Sequence, residues 1–210
     1  MGYALHSDER VSEARGSMSI AARVLWVELL LLCAVGCSEA KPLSAEEEAN
    51  LAQSRLVGQP APPFELTDNK GRLVRSGSFE GQWVVLYFYP RNDLPGCVCD
   101  ASEYTDLLMH FHDLGALVFG IDDLSPRSHH TLSKKYHVSM SLLSDADRAT
   151  TKSYGAWGPP PADDPSAEQT VRSTFLIDPQ GVVRAHWRNV TAKGHVEQVR
   201  QRLQLLQKSS

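Results

Sequence analysis

Two continuous apolar runs dominate the pattern of hydrophobic and polar positions along the chain. Residues 83–89 and 116–121 are rich in β-branched and aromatic side chains. Gly81 and Pro90 bracket the first run, and a pair of aspartates closes the second. Short runs without polar alternation are typical of strands buried on both faces. We therefore predict that both runs lie in the middle of a sheet.

Weaker signals surround these strands. Ser125 and Pro126 provide an N-cap and a first-turn proline for a helix that runs to about Tyr136. The pattern also predicts an extended segment at 58–64, a hairpin around 69–71, a short edge strand at 142–143, a brief helix near Thr150, a surface loop at 155–169, strands at 173–178 and 182–187 joined by a turn at 178–181, and a closing helix with Val196, Val199, Leu203 and Leu206 on one face. This order of elements predicts the α/β class, with a mixed central sheet flanked by helices on both faces. It is similar to the order of strands and helices in the thioredoxin-like fold.

The size and charge of the chain limit the classes of function that it can have. The 210 residues suit one domain of ordinary size with a modest appendage, and no internal repeat recurs. The net charge is −4, and the chain has no long block of Lys and Arg. A positively charged surface for binding nucleic acid is therefore not expected. We therefore expect no nucleic-acid partner.

The N-terminal region has the features of an export segment. Residues 24–36 are too short to span a bilayer as an ordinary helix but have the length of a signal-peptide core, with Arg23 as the positive flank. The end of this run, Ala34-Val35-Gly36-Cys37, resembles the lipobox of bacterial lipoproteins, which implies lipid attachment at Cys37. Plain signal cleavage nearby and an uncleaved anchor are the alternatives.

The sequence predicts that the chain consists of three segments. Residues 1–37 are predicted to serve export, with Met18 as a candidate true start. Residues 38–55 are polar and form a solvated tether. Residues 56–208 form the folded domain.

A cysteine follows the first buried strand where a helix begins. Cys97 comes directly after Pro95-Gly96, and apolar residues then recur at helical spacing from Tyr104 to Phe111. Unpaired N–H groups and the helix dipole stabilise an anion in a first turn, so we expect the pKa of Cys97 to lie below its usual ~8.5. This position favours a reactive thiolate. The alternative is a small buried residue that happens to start a helix.

Four blocks of sequence resemble a known family. The chain contains, in order and at ordinary spacings, YFYPRNDLPGCVCDASEY, LLSDADRATTKSYGAWG, RSTFLIDPQGVVR and NVTAKGHVEQV. Together they span nearly all of residues 56–205 and resemble a peroxiredoxin of the bacterioferritin comigratory protein, or peroxiredoxin Q, type of the AhpC/TSA family. The resemblance implies a thioredoxin-like fold. It also implies an enzyme without a cofactor, a thiol-dependent peroxidase for hydrogen peroxide or organic hydroperoxides in antioxidant defence and cell redox homeostasis.

The resemblance also assigns roles to individual residues. It implies that Cys97 is the peroxidatic cysteine, that Arg172 keeps the thiolate charged and binds a peroxide oxygen, and that Pro90 shields the pocket from water. The alternative for Arg172 is a surface arginine at a strand start. Leu94 stands where the family motif P-x-x-x-T-x-x-C has threonine. Because losing such a polar contact costs roughly 2–4 kcal/mol in the transition state, we expect activity that is slow, specialised or lost.

The sequence leaves two candidates for the thiol that reacts with the oxidised Cys97. Many members of that family place a resolving cysteine five residues after the peroxidatic one, where this chain has Ser102. Cys99 is the internal candidate, but a Cys97–Cys99 disulfide requires the first helical turn to unwind. The equal alternative is a one-cysteine cycle in which a thioredoxin-like or other outside thiol reduces the sulfenic acid.

Two other functions compete with peroxide reduction. A copper or zinc module could use Cys97, Cys99, His110 and His112. Thirteen helical residues between Cys97 and His110 span roughly 20 Å, so we expect no metal. An exported thiol–disulfide oxidoreductase or a redox-sensing lipoprotein without turnover is the other alternative, although the chain lacks C-x-x-C. Four further histidines could approach such ligands from other elements, but each reads more simply as a solvated surface residue: His129, His130, His186 and His195.

The expected partners are a peroxide substrate and a thiol reductant. We expect membrane contact only through the lipid anchor, and a monomer or weak dimer. The expected location is the cell envelope, anchored to a bacterial membrane and facing the periplasm, with a secreted or soluble periplasmic protein as the alternative.

Overall fold

The computed structural model of the chain describes residues 54–90, 101–158, 168–191 and 194–209. The predicted export segment, almost all of the tether, and Leu94, Cys97 and Cys99 lie outside the described residues. Every described residue belongs to the compact unit Lys41–Ser210. Among the described helices, none is both long and apolar enough to cross a membrane.

Nine strands occur in the described part of the chain. They are β1 (Glu65–Asp68), β2 (Leu73–Arg75), β3 (Trp83–Phe88), β4 (Ala116–Asp122), β5 (Ser141–Ser144), β6 (Trp157–Gly158), β7 (Gln169–Thr170), β8 (Ser173–Ile177) and β9 (Val183–Arg188). Seven of them form one sheet in the order β2-β1-β5-β4-β3-β8-β9, and β6 pairs with β7 separately. Within the large sheet β3, β4 and β5 run parallel and the other pairs are antiparallel. The sheet is therefore mixed, as predicted.

The two continuous apolar runs form the parallel pair β3 and β4. Every residue of β3 is buried, and the strand lies between β4 and β8, so the predicted central position is confirmed. The strand ends at Phe88, one residue earlier than predicted, and β8 and β9 also differ from prediction by one residue. Backbone pairing sets these ends, whereas the apolar pattern continues through Tyr89, which is 1% exposed.

Helices connect and cover the strands. They are α1 (Leu108–Asp113), α2 (Pro126–Tyr136), α3 (Ala149–Ser153) and α4 (His195–Lys208), and residues 101–106 are also helical directly before α1. The Ser125 hydroxyl accepts a hydrogen bond from the Ser128 N–H at 3.1 Å, so the predicted cap of α2 is confirmed. The buried Asp145 carboxylate accepts from the N–H groups of Thr150 and Thr151 and from the Thr151 hydroxyl, which fixes the start of α3.

The sheet separates two hydrophobic cores because successive side chains of a strand point to opposite faces. On one face, Tyr87 and its alternate neighbours pack with the helical residues 101–113, α2 and α4, through side chains such as Tyr104, Leu132 and Val199. On the other face, Phe88 and its alternate neighbours pack with Tyr154 at the end of α3. Helical segments therefore lie on both faces, and the first core includes Ala101 and Tyr104, which follow Cys97 in the sequence.

Two predictions about the sheet and its loops were wrong. β5 is not an edge strand, because it pairs with β4 on one side and with β1 on the other. Residues 155–169 are not loop throughout, because Trp157 pairs with Thr170 and Gly158 with Gln169. The prolines that favoured a loop lie between these two short strands in sequence, so they do not interrupt the pairing.

Candidate active site

The carboxyl end of β3 and the amino end of β8 meet at one edge of the sheet. The strands are antiparallel, with Phe88 opposite Ser173. Pro90 follows β3 by two residues and is half-buried, and Arg172 directly precedes β8. Two of the predicted site residues, Pro90 and Arg172, therefore lie next to the ends of adjacent strands at the same edge of the sheet. Cys97, which follows them in the sequence after β3, lies outside the described residues.

Arg172 is a buried side chain, which excludes the surface alternative. It is only 7% exposed, and its guanidinium carbon lies 5.7 Å from the centre of the Tyr87 ring. Burial lowers the pKa of Arg172, but a guanidinium stays protonated in proteins. The structure therefore holds a permanent positive charge at this edge of the sheet, shielded from water.

The backbone at Arg172 is fixed by a turn from β9. The Asn189 N–H donates to the Arg172 carbonyl oxygen at 2.8 Å, and the Val190 N–H points to the same oxygen at 3.4 Å. Asn189 has a φ of 58°, a left-handed conformation that asparagine adopts more readily than most residues. The turn thus holds the carbonyl of Arg172 while its side chain extends over the sheet.

Three tyrosines form the packed surface beside Arg172. The Tyr87 ring lies 5.4 Å from that of Tyr89 in a stacked arrangement and 5.2 Å from that of Tyr104 in a tilted one. Each of the three residues is at most 1% exposed. Gly120 makes room for them, because a Cβ at that position would lie 3.1 Å from the Tyr89 ring and 2.5 Å from the Met140 methyl group. The rings therefore have little freedom to move.

The helical residues 101–106, which follow Cys97 in the sequence, are tied to the C-terminal helix. The Glu103 carboxylate accepts a hydrogen bond from the Gly194 N–H. Burial raises the pKa of Glu103 in spite of this bond, and Glu197 and Asp106 add like charge. α4 has no capping side chain at its own N-cap, Gly194. Glu103 therefore takes that role from a distant part of the chain.

Three of the four histidines predicted to be solvated are buried, which corrects that prediction; only His130 is exposed. His129 Nε2 lies 2.5 Å from Asp122 Oδ1, and its Nδ1 lies 3.3 Å from Ser144 Oγ. A polar residue at the end of a buried strand supplies the partner that makes burial of an imidazole tolerable. The sequence pattern places His129 on its helix, but it does not reveal that Asp122 is its partner.

His195 and His186 occupy different buried environments. His195 Nε2 lies 2.8 Å from Thr174 Oγ1. His186 lies flat against the Phe175 ring, with centroids 4.0 Å apart, and neither of its ring nitrogens finds a hydrogen-bond partner among the described residues. Burial, with a contribution from the Arg188 charge, lowers the pKa of His186 to about 4. His186 is therefore neutral at physiological pH.

A cavity of about 530 Å³ lies away from this edge of the sheet. Its lining includes Val84 near the start of β3, Ile177 at the end of β8 and the turn at 178–181, but neither Pro90 nor Arg172. We place the candidate site at Arg172 and not in this cavity. The predicted peroxide chemistry requires a buried positive charge, which the size of a cavity does not provide. No group of three or more His, Cys, Asp or Glu within the described ranges is arranged to hold a metal ion.

Sequence reasoning identified Arg172 but missed Tyr87 and Asn189. The alternation in Tyr87-Phe88-Tyr89 places the two tyrosines on one face of a strand, so that part of the site was open to prediction. The contact of Tyr87 with Arg172 was not, since it depends on β3 and β8 becoming neighbours.

Comparison with known proteins matches the greater part of this domain. The profile of the AhpC/TSA family matches residues 57–186. Peroxiredoxin Bcp of Bacillus subtilis is 32% identical over 147 residues, which cover 70% of this chain and 94% of that protein. Chloroplastic peroxiredoxin Q of Sedum lineare is 36% identical over 150 residues, or 71% of this chain and 78% of that protein.

The solved structures give the same result for the fold. A structure of the Xanthomonas campestris bacterioferritin comigratory protein, from work on its alkyl peroxide reduction activity, superposes with a TM-score of 0.64 at 30% identity and covers 68% of this chain and 90% of that one. These matches confirm the predicted thioredoxin-like fold. With the family profile and the relatives in agreement, the chain belongs to the AhpC/TSA family, as a peroxiredoxin of the Bcp, or peroxiredoxin Q, type.

Proposed function

We propose that the chain is a thiol-dependent peroxidase in which Cys97 attacks the peroxide and Arg172 stabilises the charge. The observation that carries this proposal is the buried, ring-supported guanidinium of Arg172 at the edge where β3 leads toward Cys97. The relatives named peroxiredoxin support the same activity.

The reaction follows from the chemistry of the two groups. The Cys97 thiolate donates an electron pair to one peroxide oxygen, the S–O bond forms, and the O–O bond breaks. The leaving oxygen takes a proton and departs as water or an alcohol, and the sulfur becomes a sulfenic acid. A buried cation favours both the thiolate and the negative charge on the leaving oxygen, because charge interactions strengthen when water is excluded. Pro90 is proposed to help exclude that water.

The proposed substrates are hydrogen peroxide and organic hydroperoxides. Leu94 replaces a hydroxyl-bearing residue of the family motif with an apolar one, which favours a substrate with an alkyl group. The related Xanthomonas campestris protein was studied for alkyl peroxide reduction, which supports this direction.

The proposed reductant is a small thiol protein of the thioredoxin type. It acts either on a Cys97–Cys99 disulfide or directly on the Cys97 sulfenic acid. Intact mass after one equivalent of peroxide separates the two cycles, because the disulfide loses two hydrogens whereas the sulfenic acid gains one oxygen.

The proposed location is the bacterial cell envelope, with Cys37 lipidated and the domain facing the periplasm as a monomer or weak dimer. The short apolar core that ends in Ala34-Val35-Gly36-Cys37 supports it. Labelled fatty acid should enter the wild-type chain in bacterial cells and should not enter Cys37→Ala. Equal labelling of both chains, or of neither, contradicts the anchor but leaves the peroxidase proposal intact.

Peroxide consumption by the full chain with a thiol reductant tests the activity. Cys97→Ser should abolish turnover, and Arg172→Ala should slow the reaction of the thiol and raise its pKa, since the thiolate loses a nearby cation. Arg188→Ala is the matched control, because Arg188 lies opposite Ser173 on β9 but is exposed. Unchanged turnover in Cys97→Ser would refute the proposal.

A further inference from the structure

We propose that the cavity of about 530 Å³ binds a small organic cation that carries an apolar body, such as a primary amine attached to an aromatic ring. The cavity lies where β3 begins and β8 ends, whereas Arg172 lies where β3 ends and β8 begins. Four residue steps of β3 separate Val84, in the lining, from Phe88, which is roughly 13 Å at about 3.3 Å per residue. The proposed ligand site is therefore separate from the candidate active site, and it does not depend on the proposed function.

The buried part of the lining is apolar. Val84, Tyr154 and Ile177 line the cavity, and each is at most 6% exposed. Phe64 and the half-buried Phe79 add two aromatic rings, whose centroids lie 6.4 Å apart. Ligand sites in proteins usually measure about 300–1,000 Å³ and are lined mostly by apolar and aromatic side chains. An apolar group of the size of a benzene ring can therefore leave water here.

Hydrogen bonds tie the walls of the cavity together. The Tyr154 hydroxyl donates to the Pro62 carbonyl at 2.9 Å, and the Gly81 N–H donates to the Pro179 carbonyl at 3.0 Å. Each bond links two segments that are distant in the sequence, so the cavity has its shape before a ligand binds. A preformed site loses less conformational freedom on binding than one that must first become ordered.

One of the two carboxylates that line the cavity can bind a cation. Asp178 Oδ1 already accepts hydrogen bonds from the N–H groups of Gln180 and Val182. Its Oδ2 lies 2.9 Å from the Arg184 Nε, so this carboxylate is saturated. Glu80 is exposed and has no ion pair or hydrogen bond with any described residue. No Lys, Arg or His occurs among the described residues of the lining, which leaves the charge of Glu80 without a counter-ion there.

This charge and the aromatic rings together select the ligand. An ammonium group is attracted to the Glu80 carboxylate, and the face of an aromatic ring such as Phe79 also attracts a cation. The apolar body occupies the buried part of the cavity, where it is removed from water. A carboxylate ligand is repelled by Glu80, and a neutral ligand gains no attraction from it. The cavity therefore favours an amine over an alcohol or an acid of the same shape.

Three probes of nearly one shape test this selection: 2-phenylethylamine, 2-phenylethanol and phenylacetate. Each is titrated into the isotope-labelled full chain. The amide NMR signals of Gly77, Gly81 and Gly181 report binding because these glycines belong to the lining, and Gly120 serves as a reference outside it. The amine should bind about fivefold more tightly than the alcohol, and the acid should bind more weakly than either.

Glu80→Gln is the deciding variant, because it removes the charge and keeps the shape of an exposed side chain. Its affinity for the amine should fall about fivefold, to that for the alcohol, whereas its affinity for the alcohol should stay the same. Asp113→Asn is the matched control. The Asp113 side chain is 72% exposed and lies outside the lining, so the variant should leave all three affinities unchanged.

Equal affinity for the three probes overturns the proposal, and so does a preference for the amine that survives Glu80→Gln. The absence of binding at millimolar concentration, or spectral changes that spare the three lining glycines, also overturns it. None of these outcomes affects the peroxidase proposal, because neither Arg172 nor Pro90 belongs to the lining.

Discussion

Acid should destabilise the fold through one buried side chain, His186. The residue is 5% exposed and lies flat on Phe175, and burial together with the Arg188 charge lowers its pKa from 6.5 to about 4. Between these values the unfolded chain binds a proton at His186 that the folded chain does not. The free energy of unfolding is therefore unaffected by His186 above about pH 6.5 and decreases as the pH falls toward 4.

The size of the decrease follows from the two pKa values. The difference between 6.5 and about 4, at about 1.36 kcal/mol for each pH unit, amounts to ~3 kcal/mol once both states are protonated. Native domains are stable by only about 5–15 kcal/mol. Protonation of this one imidazole is thus expected to remove a substantial part of the stability.

Urea unfolding of the full chain at several pH values between about 7 and 4 measures the effect. His186→Phe keeps a flat ring against Phe175 and cannot titrate, so its free energy of unfolding should decrease less by ~3 kcal/mol over this range. Subtracting the two curves removes the contribution of the carboxylates, which both proteins share. His112→Gln serves as the control for replacing a histidine outside the core, because the His112 side chain is 76% exposed.

Parallel curves of wild type and His186→Phe through the acidic range would contradict this role of His186. A constant offset between them does not matter, because repacking around the new ring changes stability equally at every pH. Only the difference in slope reports the buried imidazole.

Three further predictions concern packing, capping and the thiol pocket. Gly120→Ala should lower the free energy of unfolding by about 1–3 kcal/mol, because the new methyl group would lie 2.5 Å from the Met140 side chain; an unchanged urea midpoint contradicts this. Asp145→Ala should cost about 2–3 kcal/mol by leaving the buried donors at the start of α3 without their acceptor, whereas the exposed Asp147→Ala should cost clearly less. Leu94→Thr should accelerate the reaction with hydrogen peroxide about tenfold or more in stopped flow, equivalent to ~1.4 kcal/mol, and slow that with cumene hydroperoxide; equal rates for both chains count against it.

The sequence was most informative where local pattern and burial agree. β3 and β4 could be predicted because a short apolar run has few alternatives to a central strand. The helix after Ser125 could be predicted because its cap is local in sequence. Arg172 was found through the resemblance of its sequence block, and the structure adds the burial that the residues alone did not indicate.

The errors concern interactions between distant residues. β5 was placed at an edge because its four residues do not show that β1 returns to pair with them. His129 was placed at the surface because its partner, Asp122, belongs to another element. The ring beneath Arg172 likewise depends on which strands become neighbours. Periodicity describes one element at a time, so it cannot reveal these contacts.

The cap that Glu103 provides to Gly194 has a consequence for synthesis of the chain. A ribosome makes the helical residues 101–106 long before it makes α4, and the core around Tyr104 also needs Val196 and Val199 from that last helix. Contacts between such distant segments form only after both segments have been synthesised. The nascent chain must therefore carry an unfinished core until α4 emerges, and a stop codon shortly before α4 would leave the helix that follows Cys97 without its anchor.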